Sequence, residues 1–140
     1  DTVLKKAEIH SPPSELQAYY EAINACFSAD TVEDIIHRLE QCGVWEKAVA
    51  KRLRQRSPMS LKVTFESYYR SQGQLFNAII QSDFDIAQHF LNQHDFFEGI
   101  RAALIDKDQS PRWQPATLPA VKPDEVNVFF SQMGRWLNER

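Results

Sequence analysis

Asp95 and Glu98 lie three residues apart around the start of the run FFEGIRAALI, close enough for two carboxylates to share acid–base work. The same spacing has a structural meaning. An acidic residue at a helix start and a glutamate three positions on form a capping box, each side chain taking one of the unpaired first-turn N–H groups. That reading accounts for both carboxylates, so Asp95 is expected to cap a helix and Glu98 to reach back to it. Ser57, Ser60, His94 and Asp95 supply the residue types of a nucleophile, a base and an orienting acid. Yet the chain has no G-x-S-x-G elbow to hold a serine exposed on a strained turn, and Ser57 before Pro58 already suits a helix cap. His10, His37, His89 and His94 fit no zinc spacing, and neither Cys26 nor Cys42 completes one. These residues therefore yield no catalytic assignment, no metal ligand and no cofactor.

The basic run KRLRQR places Lys51, Arg52, Arg54 and Arg56 on one predicted helix. With a net charge of −3 and both signs interspersed elsewhere, this run is a solvated face or a contact to acidic residues of a neighbouring domain, and no nucleic-acid footprint is expected. Two cysteines are too few for a disulfide framework, and both are expected as buried free thiols. No apolar run is long enough to span a bilayer, and the first residues, DTVLKKAEIHSPP, lack the basic start and apolar run of a secretory signal. They also lack an initiator Met, so the chain is expected to begin within something longer.

Positioning these residues falls to helices. Only four glycines occur, while prolines sit at punctuation points, and no stretch alternates with period two. Ser11-Pro12-Pro13 is an extended break, after which Ser14 caps a helix carrying Leu16, Tyr19, Tyr20, Ile23 and Phe27. Asp30 and Glu33 resemble a capping box for a helix with Ile35, Ile36 and Leu39, closed by a left-handed Gly43. Further helices are expected over 44–56, from Ser57-Pro58 to about Gly73, over 75–92 with Phe76, Ile79, Ile80, Ile86, Ala87, Phe90 and Leu91 inward, and from Asp95 to near Asp106. Residues 107–121, with three prolines, read as an ordered extended segment. Trp113, between Pro111 and Pro115, anchors it to the helices, while Phe96 and Phe97 are expected in the core. Pro123 opens a last helix with Val126, Phe129, Phe130, Met133 and Trp136. The fold class is all-α, with six to seven helices over 14–140 and a linker or continuation over 1–13.

Three blocks, in order, resemble one family. CFSADTVEDIIHRL (Cys26 to Leu39), SPMSLKVT (Ser57 to Thr64) and HDFFEGIRAALIDKDQSPRWQP (His94 to Pro115) are similar to the C-terminal signature of 3-hydroxyisobutyryl-CoA hydrolases, a branch of the crotonase (enoyl-CoA hydratase/isomerase) superfamily. The IDKD ending followed by Pro-x-Trp separates this branch from general crotonases, which end in a looser basic segment.

The resemblance implies a spiral N-terminal core carrying the CoA cleft, the oxyanion donors and the acidic catalytic groups, followed by a helical C-terminal domain. Thioester hydrolysis builds negative charge on the carbonyl oxygen, which pre-aimed N–H donors stabilise. No glycine-rich strand–turn–helix able to supply those donors occurs here, so the resemblance covers the helical part and carries no catalytic residue onto this chain. It implies an acyl-CoA substrate of valine catabolism for the parent protein. As partners it implies that protein's own core or a neighbouring subunit, and as location the mitochondrial matrix in a eukaryote or the cytoplasm in a bacterium. Lys107 falls near the position at which crotonases set a basic residue against CoA phosphates, with Arg101 as a second candidate, although Asp106 and Asp108 oppose such a contact and Glu98 can pair with Arg101. A family member acting as hydratase or isomerase and a free-standing helical protein-interaction domain are the alternatives.

Overall fold

Short polar side chains and prolines decide where the helices begin. In the computed structural model, which describes residues 14–131, the chain forms seven α-helices and, among the described residues, no strand. A 3-10 turn, Glu15–Tyr19, is capped by Ser14 and leads into α1, Tyr20–Phe27. Helix α2 spans Val32–Gln41, α3 Val44–Arg54, α4 Pro58–Ser71 and α5 Phe76–Phe90. Helix α6, His94–Ile100, runs straight into a π-helical turn, Arg101–Ile105. After the extended segment a short 3-10 turn, Leu118–Ala120, precedes α7, Pro123–Val128. The expected break at residues 11–13, His10, and the expected inward Met133 and Trp136 lie outside the described residues.

Two helix ends differ from expectation. The cap of α2 is Thr31, not Asp30: its Oγ1 accepts from the Asp34 N–H at 3.1 Å and donates to the Asp34 carboxylate at 2.7 Å. The hydroxyl thus does both jobs of a capping box, and Glu33 is released to bind Lys62 of α4 at 2.7 Å. Gly43 is not left-handed. At φ −73° it is extended and serves as the first residue before α3, whereas the left-handed glycine is Gly73 at φ +74°, closing α4.

The core lies in two clusters. One joins α1, α2 and α3 through Cys26, Ala29, Val32, Ile35, Ile36, Leu39 and Ala50. The other joins α4, α5 and α7 through Met59, Val63, Ile86, Val121, Val126 and Phe129, with Phe90 stacked at a tilt on Phe129 at 4.6 Å. Helix α5 buries only its second half. Ile86 and His89 point inward, while Phe76 and Ile80, expected inside, are 73% and 51% exposed. Leu16, Tyr20 and Phe27 are also exposed, leaving Tyr19 to stack flat on Trp45 at 4.3 Å. Of the basic run, Arg54 bonds Glu40 of α2 at 2.6 Å, and Lys51, Arg52 and Arg56 face solvent.

Candidate functional site

The junction of α4, α6 and the extended segment holds most of the residues singled out above. Ser57 caps α4, accepting from the Ser60 N–H at 3.1 Å, and Pro58 at the first helical position gives up no needed donor. The Ser57 hydroxyl has one proton to donate, and it goes to Asp95 Oδ2 at 2.5 Å. Asp95 is 7% exposed, and its Oδ1 accepts the Gln114 N–H at 2.8 Å and stands 3.1 Å from His94 Nδ1. So the structure brings together the serine, aspartate and histidine, but with the carboxyl group in the middle. Nucleophile activation needs the serine proton to face the imidazole, and here it faces the acid. The cluster ties the start of α4 to the start of α6 and to the extended segment.

Asp95 is therefore not a helix cap. Gln93 stands at the cap position without a side-chain bond, and Asp95 sits in the first turn with both oxygens turned to partners distant in sequence. Nor does Glu98 reach back. Its carboxylate takes the Arg101 guanidinium through two bonds, 2.8 and 2.9 Å, and the Arg112 N–H at 2.7 Å.

Arg101 is the centre of a second cluster. Besides Glu98 it donates to Asp106 at 2.6 Å, Asp108 at 2.7 Å and the Ser110 carbonyl at 3.3 Å. The Arg101 guanidinium, helped by the Arg112 N–H, holds Glu98 down to about 2. Asp108 is lowered by the same guanidinium and by the Ser110 N–H. In return Glu98, then Asp108 and Asp106, push Arg101 further above its ordinary value. Three carboxylates on one cation leave a local excess of negative charge, so Arg101 offers no free donor geometry to an incoming phosphate. What it does is fold the turn that presents Lys107. Lys107 and Gln109 both adopt left-handed backbone, φ 56° and 53°, a conformation costly for residues with a Cβ. The Arg101 bonds to Asp106 and Asp108, with the Gln109 N–H on the Ala102 carbonyl at 3.0 Å, pin that turn. Lys107 itself is exposed.

Trp113 anchors as expected, its Nε1 donating to the Gln55 carbonyl at 3.0 Å. Its ring lies over Gly99, where an added Cβ would meet ring carbons at 3.5 Å, an ordinary contact. Gly99→Ala is accordingly expected to be tolerated and to raise stability by about 0.5 kcal/mol through helix propensity. Urea unfolding of the variant checks this, and a clear loss of stability would mean that the ring sits closer to the helix. Phe96 and Phe97 depart from expectation. They pack edge to face on each other at 5.4 Å and are 38% and 61% exposed, because α6 turns its buried side toward Asp95 and Ala102. Phe96 and Trp113 line an open groove of about 600 Å³ together with Ser60, Thr64, Phe90 and Leu91. Among the described residues no group of His, Cys, Asp and Glu side chains is placed to hold a metal ion, and no helix is long and apolar enough to cross a membrane.

The residues missed by sequence reasoning are Asp106, Asp108 and Gln114. The acidic pair was visible flanking Lys107, but its target, an arginine five and seven residues back, depends on the π turn.

Comparison with known proteins gives these residues a context. A family model described as enoyl-CoA hydratase/isomerase matches residues 1–130. The mitochondrial 3-hydroxyisobutyryl-CoA hydrolase of Homo sapiens is 38% identical over 120 residues, which are 85% of this chain and 31% of that protein. The chain thus spans about a third of the length of the curated relatives it matches. Among solved structures, a carnitinyl-CoA dehydratase from Mycobacterium thermoresistibile superposes with a TM-score of 0.87 at 31% identity, over 96% of this chain and 39% of that one. An enoyl-CoA hydratase from Rhodobacter sphaeroides 2.4.1 gives 0.81 at 31% identity, over 95% and 41%.

Proposed function

Since the chain belongs to the enoyl-CoA hydratase/isomerase family, we propose that it is the helical C-terminal part of a 3-hydroxyisobutyryl-CoA hydrolase-like thioesterase. The observation that carries this reading is the 38% identity to that hydrolase over 85% of the chain, above the 31% shared with the dehydratase and hydratase structures. The parent protein hydrolyses a short branched 3-hydroxyacyl-CoA of valine catabolism to the acid and free CoA. Its location is the mitochondrial matrix in a eukaryote, as with the relatives named mitochondrial, or the cytoplasm in a bacterium.

Within that protein the helices act by packing. Leu75 and Phe76, 81% and 73% exposed, and Leu104 and Ile105, 68% and 69% exposed, are large apolar groups that gain by leaving water. The parent's own core or a neighbouring subunit covers them, as a lid or an oligomer contact. Lys107 is the residue offered to a CoA phosphate, and Arg101 serves by fixing the turn that carries it.

The test is a free-thiol assay with 3-hydroxyisobutyryl-CoA. The full-length protein is expected to release CoA and the isolated chain to release none. Turnover by the isolated chain would overturn the assignment of catalysis to the rest of the protein. A second reading, a hydratase or isomerase of other acyl-CoA specificity, is favoured by the two structural neighbours. It predicts a full-length protein that hydrates an enoyl-CoA without releasing CoA.

A further inference from the structure

Cys26 and Cys42 are not both buried, as the sequence suggests: Cys26 is 1% exposed within the first core cluster, and Cys42 is exposed at the end of α2. Their sulfurs nevertheless lie only 3.8 Å apart, across the seam between α1 and the corner from α2 to α3. We propose that this pair is an oxidation site at which Cys42 reacts with a peroxide and Cys26 closes a reversible intramolecular disulfide, stapling α1 to the α2–α3 corner.

Three observations carry the assignment of roles. Access comes first, because only the Cys42 sulfur faces solvent, while Cys26 sits among Ala29, Leu39 and Ala50. Closure comes second. A disulfide needs the sulfurs at about 2.05 Å, so the pair must close by less than 2 Å, a side-chain rotation and not a helix displacement. The two-residue corner Cys42-Gly43, outside both α2 and α3, can yield to it. The seam is third. Arg38 of α2 already holds the end of α1 through the Ala25 carbonyl at 2.9 Å and Ser28 Oγ at 3.2 Å, so the cysteines are kept in register before any bond forms. Burial, the neighbouring Cys42 and the charge of Glu46 raise Cys26 above an ordinary thiol, in keeping with its role as the second and not the first to react.

The chemistry balances in two steps. The Cys42 thiolate attacks one peroxide oxygen, the O–O bond breaks, and the products are a Cys42 sulfenic acid and hydroxide. The Cys26 sulfur then attacks the sulfenic sulfur, the S–O bond breaks, and the departing oxygen takes up protons to leave as water. In sum, two thiols and one hydrogen peroxide give one disulfide and two waters, and a dithiol reductant restores the pair.

Full-length protein treated with hydrogen peroxide and then alkylated tests this by mass. Trypsin separates the cysteines, placing Cys26 in Ala7–Arg38 and Cys42 in Leu39–Lys47. The expected product is these two peptides joined, two mass units below their sum and split by dithiothreitol. The oxidised protein should also unfold about 4 °C or more above the reduced one, since the bond restrains the unfolded chain. Cys26→Ser should stop at a sulfenic acid on Cys42 that a dimedone probe captures, whereas Cys42→Ser should leave Cys26 unmodified. Full alkylation of both thiols after peroxide, a link only between two molecules, or a joined pair with no rise in midpoint would each overturn the proposal.

Discussion

Replacing Asp95 with alanine is expected to destabilise the chain by about 3 kcal/mol, the sum of two buried donors left without an acceptor at roughly 1–3 kcal/mol each. Those donors are the Ser57 hydroxyl and the Gln114 N–H. At 7% exposure the site is too closed for water to take the place of the carboxyl group. Ser57→Ala should cost less, about 1.5 kcal/mol, because it removes the cap of α4 and one bond to Asp95 but leaves the Gln114 bond in place. The double variant should lose less than the two single losses combined, by about 1 kcal/mol, since the shared hydrogen bond is counted twice in the sum. Urea unfolding of the four proteins measures all of this. Strict additivity would mean that Ser57 and Asp95 do not depend on each other.

Arg101→Met is the second large change, and its signature lies in pH. Glu98 sits at about 2 against an ordinary 4.5, so the folded state binds the Glu98 proton less readily than the unfolded chain does. A lowered carboxylate contributes stability that is complete above about pH 4.5 and is lost as the pH falls through about 2. Asp108, lowered by the same guanidinium, adds to that limb. In Arg101→Met the limb should flatten. Glu98, Asp106 and Asp108 lose their common cation and repel one another at neutral pH, and protonation then relieves the repulsion. Thermal midpoints across this acid range should show the variant furthest below the parent near neutrality and closest to it near pH 2. Amide exchange from Asp106 to Ser110 should quicken in parallel, because the Lys107 turn loses its ties. Parallel midpoint curves for the two proteins would remove Arg101 from this role.

Where a residue's partner is close in sequence, the pattern identified it. Ser57-Pro58 was legible because the cap bond spans three residues, and Trp113 because two prolines leave an indole little to do but anchor. The all-α architecture followed from period and punctuation alone. The box at Asp95 and Glu98 was misread for a definite reason. Its local pattern is real, but Ser57, Gln114 and Arg112, 38, 19 and 14 residues away, offer better partners once the chain is folded. Distance misled in the same way at Cys42, apolar by type yet placed at a corner, and along α5, whose first half carries an apolar stripe with no described neighbour to cover it. Periodicity tells which side chains share a face. It does not tell whether the chain itself supplies what the face packs on.

The π turn at Arg101–Ile105 has a consequence for length. There the Asp106 N–H reaches the Arg101 carbonyl, five residues back, at 2.8 Å, so the turn holds one more residue than an α-helical one would. Deleting that residue would wind everything beyond it back by about 100°, carrying Asp106 and Asp108 away from the guanidinium and Lys107 off its present side. Substitutions here alter a contact, whereas a change of one in residue number alters direction. Composition in this segment can drift, but its count is fixed by geometry.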